Sequence, residues 1–147
     1  MIFEDCNDFL KYEIDRMFSD EYIENLINVN KIKKEVKIKK LLARKNIKYI
    51  LENKTYLKNT SKNKKSRIEW RFKTKNGKYL FLHIEIAKLT KQIEFDQGYE
   101  IHHFDENPEN NNPKNLMVLP SPMHREFHRG SIRALEAINR IYSEMNK

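Results

Sequence analysis

The chain has 147 residues, 39% of them hydrophobic, a formal net charge of +8 and a single cysteine. That length suits one domain, or a small domain with an appendage, around a modest core. No apolar run approaches the ~20 residues of a membrane span, and one cysteine excludes both an internal disulfide and a multi-cysteine zinc site.

The charge is unevenly spread. Residues 1–30 hold two basic and eight acidic groups, a balance of −6, whereas residues 31–65 hold fourteen basic and two acidic groups, a balance of +12. A basic block of that density suits phosphates, although on composition alone lysines solvating a helix would explain it equally well. The acidic start lacks the layout of a signal peptide, so a cytoplasmic, intracellular protein is expected. Cys6 reads as a small buried residue.

Leu10, Ile14, Met17 and Phe18 recur at helical spacing over residues 8–18. Ser19 or Asp20 can cap a second helix whose stripe is Ile23, Leu26 and Ile27. Residues 31–58 read as a broken basic helix, with Asn46 suited to a left-handed turn before Ile47, Ile50 and Leu51 resume the pattern. Helix, turn and basic helix would fit a helix-turn-helix-like DNA-binding element, though many helical hairpins share the pattern. Residues 59–66 are polar and aperiodic, a linker. The expected division is a helical N-terminal region over 1–64, basic from residue 31, and a second unit over 65–147.

From Arg67 to Phe72 the sequence alternates, Asn76-Gly77 signals a hairpin turn, and Lys78 to Leu82 returns as a strand. Arg71, Lys73, Lys75 and Lys78 would lie on its outer face or tip, either against a nucleic-acid backbone or simply solvated. Ile84 to Lys91 turns helical, and His83 before it reads as a structural histidine. Strands are expected at Glu100 to Phe104 and Leu116 to Leu119, with an Asn- and Pro-rich loop between them. Ser121 can cap the next helix with Pro122 in its first turn, and Gly130 can end it. Ser131 then caps a last helix with Ile132, Leu135, Ile138, Ile141 and Met145 as its buried face.

Four of the five histidines lie between Tyr99 and Arg129. His124 and His128, four apart, share one helix face and can hold one metal ion. His102 and His103 are adjacent in a strand and point to opposite sides, which suits one ligand and one free base.

This stretch resembles the His-Asn-His (HNH) nuclease motif of the ββα-metal superfamily, in its phage and mobile-element, homing-endonuclease-like form. The resemblance rests on His102-His103, Asp105-Glu106-Asn107-Pro108, Asn110-Asn111, Pro113-Lys114-Asn115-Leu116, Met117-Val118-Leu119 and Ser121-Pro122-Met123-His124. It covers about 30 residues tightly and the span from Ser66 to Arg129 loosely. Glu106 stands where that form carries glycine. The implied fold is α+β, a ββα-metal HNH nuclease core with a β-hairpin, preceded by the helical basic region.

The implied activity is metal-dependent DNA endonuclease chemistry. By resemblance His103 is the general base and His102 and His124 are metal ligands. His128 is a third ligand, as in bacteriocin-type members with a His-His…His-x-x-x-His layout. Asn115 is the asparagine of the family name, holding the loop and the base strand in register. Arg125 and Arg129, with Arg71, Lys73 and Lys75, are the expected DNA contacts. One divalent cation is implied, Mg, Mn, Zn or Ni, with imidazole ligands favouring the later metals over Mg. The expected partner is DNA, with no membrane and no small-molecule substrate, and a homodimer through the last helix is left open. Two alternatives stand beside this reading: a non-catalytic nucleic-acid-binding protein with a structural metal, and a toxin-like nuclease neutralised by an acidic inhibitor. In the latter case the acidic first 30 residues could themselves cover the basic block.

Overall fold

A computed structural model describes residues 6–32, 45–52, 71–91 and 98–147. Residues 33–44 and 53–70, and with them most of the helix-turn-helix-like stretch, the linker and the 64/65 division, lie outside the described residues, as does the side chain of Cys6. In chain order the elements are α1 (Cys6–Arg16), α2 (Asp20–Asn30), α3 (Lys45–Glu52), β1 (Arg71–Lys73), β2 (Tyr79–Phe81), α4 (Leu82–Thr90), β3 (Tyr99–His103), β4 (Leu116–Pro120), α5 (Ser121–His128) and α6 (Ile132–Met145). This is an α+β fold built from two antiparallel strand pairs, β1–β2 and β3–β4.

The β3–β4 pair is the centre. All five residues of β4 are buried, as expected for a strand covered on both faces. Its side chains divide by the period of two. Met117 and Leu119 enter a core with Ile23, Leu26 and Ile27 of α2, Met123 of α5, and Ala137, Ile138, Ile141 and Met145 of α6. Leu116, facing the other way, joins Ile47 and Ile50 of α3 and Leu82 and Ile86 of α4. Residues from both sides of the 64/65 division therefore share each core. The register places His102 opposite Met117 and His103 opposite Leu116, so the two histidines face different cores.

Two polar groups join these layers. Asn30, fully buried, donates from Nδ2 to the carbonyls of Leu26 (2.8 Å) and Val118 (3.0 Å), and its Oδ1 accepts from the Val118 amide (2.6 Å). Its carboxamide thus pairs with the free edge of β4 as a neighbouring strand would. Lys91, also fully buried, donates from Nζ to the carbonyls of Asn30 and Pro113, both at 2.9 Å. Burial lowers its pKa to about 8, because the interior disfavours the charged amine.

Some local expectations hold and others meet a different outcome. Ser19 caps α2 by accepting from the Tyr22 amide, and Ser131 caps α6 by accepting from that of Ala134. Ser121, expected as a cap, is instead the first residue of α5, with Pro120 at the cap position. Asn46 lies within α3 rather than in a left-handed turn. Leu82 opens α4 rather than closing a strand. On α1, Leu10 is exposed. On α6 the buried face is Ala134, Ala137, Ile138, Ile141 and Met145, while Ile132 is 73% and Leu135 47% exposed. Ala137 shares its core with Ile23, Leu26 and Ile27 of α2, and its small side chain lets the two helices lie close.

The acidic groups of the N-terminal helices engage α6. Arg133 pairs with Asp15 and Glu126, each at 2.8 Å, and Arg140 with Asp20 (3.0 Å) and Glu24 (2.6 Å). No helix among the described residues is long and apolar enough to cross a membrane.

Candidate active site

β3 ends at His103 and β4 begins at Leu116, with a loop tied by its own side chains between them. Asn115 is buried and central to that loop. Its Nδ2 donates to Asp105 Oδ1 and to the Asn110 carbonyl, both at 2.9 Å, and its Oδ1 accepts from the Asp105 amide at 3.1 Å. Its carbonyl accepts from the Phe104 amide at 2.9 Å, extending the ladder past His103. Burial alone would raise the pKa of Asp105, but hydrogen bonds from Asn110, the Asn107 amide and Asn115 hold its carboxyl below the usual range. At Glu106 the backbone takes φ +58°, the one positive φ among the described non-glycine residues. The left-handed turn that glycine would adopt freely is kept here with a side chain in place.

On the α5–α6 face of the strand pair, three imidazoles converge. His102 Nδ1 lies 3.2 Å from His124 Nε2, and His128 Nε2 lies 2.9 Å from the same atom. His102, His124 and His128 each offer one nitrogen, all within 4.8 Å of one another. The i, i+4 spacing on α5 stacks the last two, and β3 brings in the first. His124 Nδ1 donates to Glu100 Oε2 at 2.9 Å, which fixes its tautomer and aims the Nε2 lone pair into the cluster. The sequence pattern marks Glu100 only as the start of a strand. The signal that would have found it is alternation, since residues 100 and 102 share a face.

This donor set fits a metal ion. Burial, then the neighbouring His124, His128 and His103, push the pKa of His102 down to about 4. Burial and His124 likewise lower that of His128, against the opposing pull of Glu106 and Glu100. Both shifts favour the neutral ring, the ligating form. With Nδ1–H of His124 turned to Glu100, its Nε2 lone pair can meet either a ring N–H of His102 or His128 or a shared cation, and a tetrahedral ion with ~2.1 Å bonds would space its ligands at ~3.4 Å. A groove bordered by His102, Phe104, Glu106, Phe127, Leu135 and Asn139 opens beside the cluster.

His103 faces the opposite way. Its Nε2 lies 2.9 Å from Asn111 Oδ1. Its ring lies 5.3 Å from that of His83, which sits in the first turn of α4 and next to Phe81 at 5.7 Å. His83, expected as a structural histidine, lies against the ring of His103. The file of rings continues to Tyr79, over which Arg71 stacks at 4.3 Å with Lys73 at 5.8 Å. Lys75 is exposed in the hairpin turn, closed by Gly77 at φ +85°. Arg125 and Arg129, on and just after α5, are exposed.

Two antiparallel strands followed by a helix, with histidines from strand and helix around one point, define a ββα-metal type of core. Residues 94–125 match the family model described as HNH endonuclease, and the chain carries an HNH endonuclease motif. No curated protein and no solved structure matches the chain.

Proposed function

We propose that the protein is a metal-dependent DNA endonuclease that hydrolyses phosphodiester bonds with His103 as general base and one divalent cation held by His102, His124 and His128. The observation that carries this reading is the division of the four histidines: three converge on one point, while the adjacent fourth points away and is held by Asn111. A three-nitrogen set leaves positions open for water and phosphate oxygen, as a catalytic site needs, and the metal is one of Mg, Mn, Zn or Ni.

When bound, the cation would supply Lewis-acid stabilisation at the phosphate and the leaving oxygen. The protein's own residues do the rest. His103 takes a proton from the attacking water. Asn115 keeps the loop closed so that the His103 strand stays in register. Glu100 orients His124. Arg71, Lys73 and Lys75 on the hairpin and Arg125 and Arg129 beside α5 hold the DNA phosphates, and the net charge of +8 favours that encounter. The loop sequence and the composition suit a phage or mobile-element origin and an intracellular place of action.

The test is conversion of supercoiled plasmid by the purified chain with EDTA, Mg, Mn, Ni or Zn, beside His103→Ala. Metal-dependent nicking or linearisation, abolished in the variant, is expected. DNA binding without cleavage under any metal would instead favour a binding protein with a structural metal.

A further inference from the structure

The Asn-rich loop contains four asparagines between residues 107 and 112, and three of them bond their own neighbourhood. Asn107 Oδ1 accepts from the Glu109 amide, Asn110 Oδ1 from that of Asn112, and Asn112 Oδ1 from that of Lys114. This is the ordinary use of asparagine in a loop. Asn111 reaches instead to a side chain eight residues back, with Oδ1 2.9 Å from His103 Nε2. Both of its neighbours are pinned. Asn110 is held through its Nδ2 to Asp105 (2.7 Å) and through its carbonyl to Asn115 (2.9 Å), and Asn112 caps the 3-10 turn Pro113–Asn115. The loop therefore presents Asn111 at a set place against the ring, while His83 packs on the ring at 5.3 Å.

A neutral imidazole carries one N–H and one lone pair, and a carboxamide oxygen can only accept. We infer that Asn111 is a positioning residue: its carboxamide oxygen, accepting from His103 Nε2–H, fixes the tautomer that leaves Nδ1 as the proton acceptor. The inference rests on the reading of His103 as the general base. In the step it serves, a water proton passes to Nδ1 as the water oxygen bonds to phosphorus. The P–O3′ bond then breaks, and the departing oxygen takes a proton from solvent. His103 becomes an imidazolium still bonded through Nε2–H to Asn111. Were the carboxamide turned over, its NH2 would donate to Nε2, the ring proton would sit on Nδ1, and no lone pair would face the water.

The test uses the full chain with 15N-labelled histidine, observed through long-range 1H–15N correlations at a pH about two units above the ordinary imidazole pKa of ~6.5. The wild type is expected to show the Nε2–H tautomer at His103. Asn111→Leu should lose that preference, and its kcat for plasmid cleavage should fall roughly 100-fold with KM nearly unchanged. Asn111→Asp keeps an acceptor oxygen and should keep the tautomer. An Nδ1–H tautomer in the wild type, or an Asn111→Leu variant with unchanged tautomer and rate, would overturn the inference. A tautomer that switches as expected in a chain that cleaves no DNA would uphold the positioning role and defeat the base reading instead.

Discussion

Removing the carboxylate that orients His124 should weaken the metal site without touching a ligand. Glu100 Oε2 accepts from His124 Nδ1 at 2.9 Å, and partners of this kind hold ligand rings in place and raise their basicity, with losses of ~10–100-fold in metal affinity on removal. The Glu100 side chain is 47% exposed, so water screens much of the charge and the lower end applies. Glu100→Ala should raise the Kd for Zn or Ni about 10-fold, equivalent to ~1.4 kcal/mol. Glu100→Gln keeps an acceptor oxygen and loses only the charge, so about threefold is expected. Competition against a chromophoric chelator at fixed pH reads both values. Cleavage by the alanine variant should recover at saturating metal, because the ligands are intact. An alanine variant with wild-type affinity would refute the reasoning, since His124 would then be oriented by α5 packing alone.

Three further outcomes follow from the same structure. Asn30→Ala strips both partners from the buried Val118 amide and carbonyl, each costing ~1–3 kcal/mol when left unpaired. A loss of roughly 3 kcal/mol in urea unfolding is expected, and a loss below about 1 kcal/mol would mean that water or a shifted strand replaces the carboxamide. Glu106→Gly relieves the φ +58° backbone and should add about 0.5–1 kcal/mol, the αL cost of a side chain less the entropy of glycine. Glu106→Ala, which keeps the Cβ, should not share the gain, and an equal gain would show that the backbone is not the cause. His102 binds its proton only near pH 4 when folded, against ~6.5 when unfolded. The unfolded chain therefore holds more protons across that window, and metal-free stability should fall as the pH drops from about 6.5 to 4. His102→Gln should flatten that slope, and an unchanged slope would place the effect elsewhere.

Much of the site was legible because its signals are local. Adjacent histidines in a strand diverge by geometry, and two histidines four apart on a helix converge. Asn115, Pro113 and the caps Ser19 and Ser131 are short-range features of the same kind. What stayed hidden depends on distant partners. Nothing near Asn30 announces a strand edge 88 residues away, and nothing near His83 says that α4 will set its ring against His103. Asn111 was visible only as one asparagine among several. On α6 the expected Ile138, Ile141 and Met145 are buried, whereas Ile132 and Leu135 lie outside and Ala134 and Ala137 take the interior places, since side-chain size alone does not tell which face a distant element covers. Glu100 is the intermediate case, since its partner is distant but its shared face with His102 was already implied by the strand period.

In the proposed mechanism one histidine of the His-His pair serves chemistry and the other serves the metal. The most direct measurement is the metal-binding isotherm of His103→Ala, taken by calorimetry with Zn or Ni beside its plasmid-cleavage rate. Wild-type affinity and a one-to-one stoichiometry are expected, with cleavage lost by a factor of roughly 100 or more. A His103→Ala protein that binds metal 10-fold or more weakly, or that still cleaves at the wild-type rate, would contradict it.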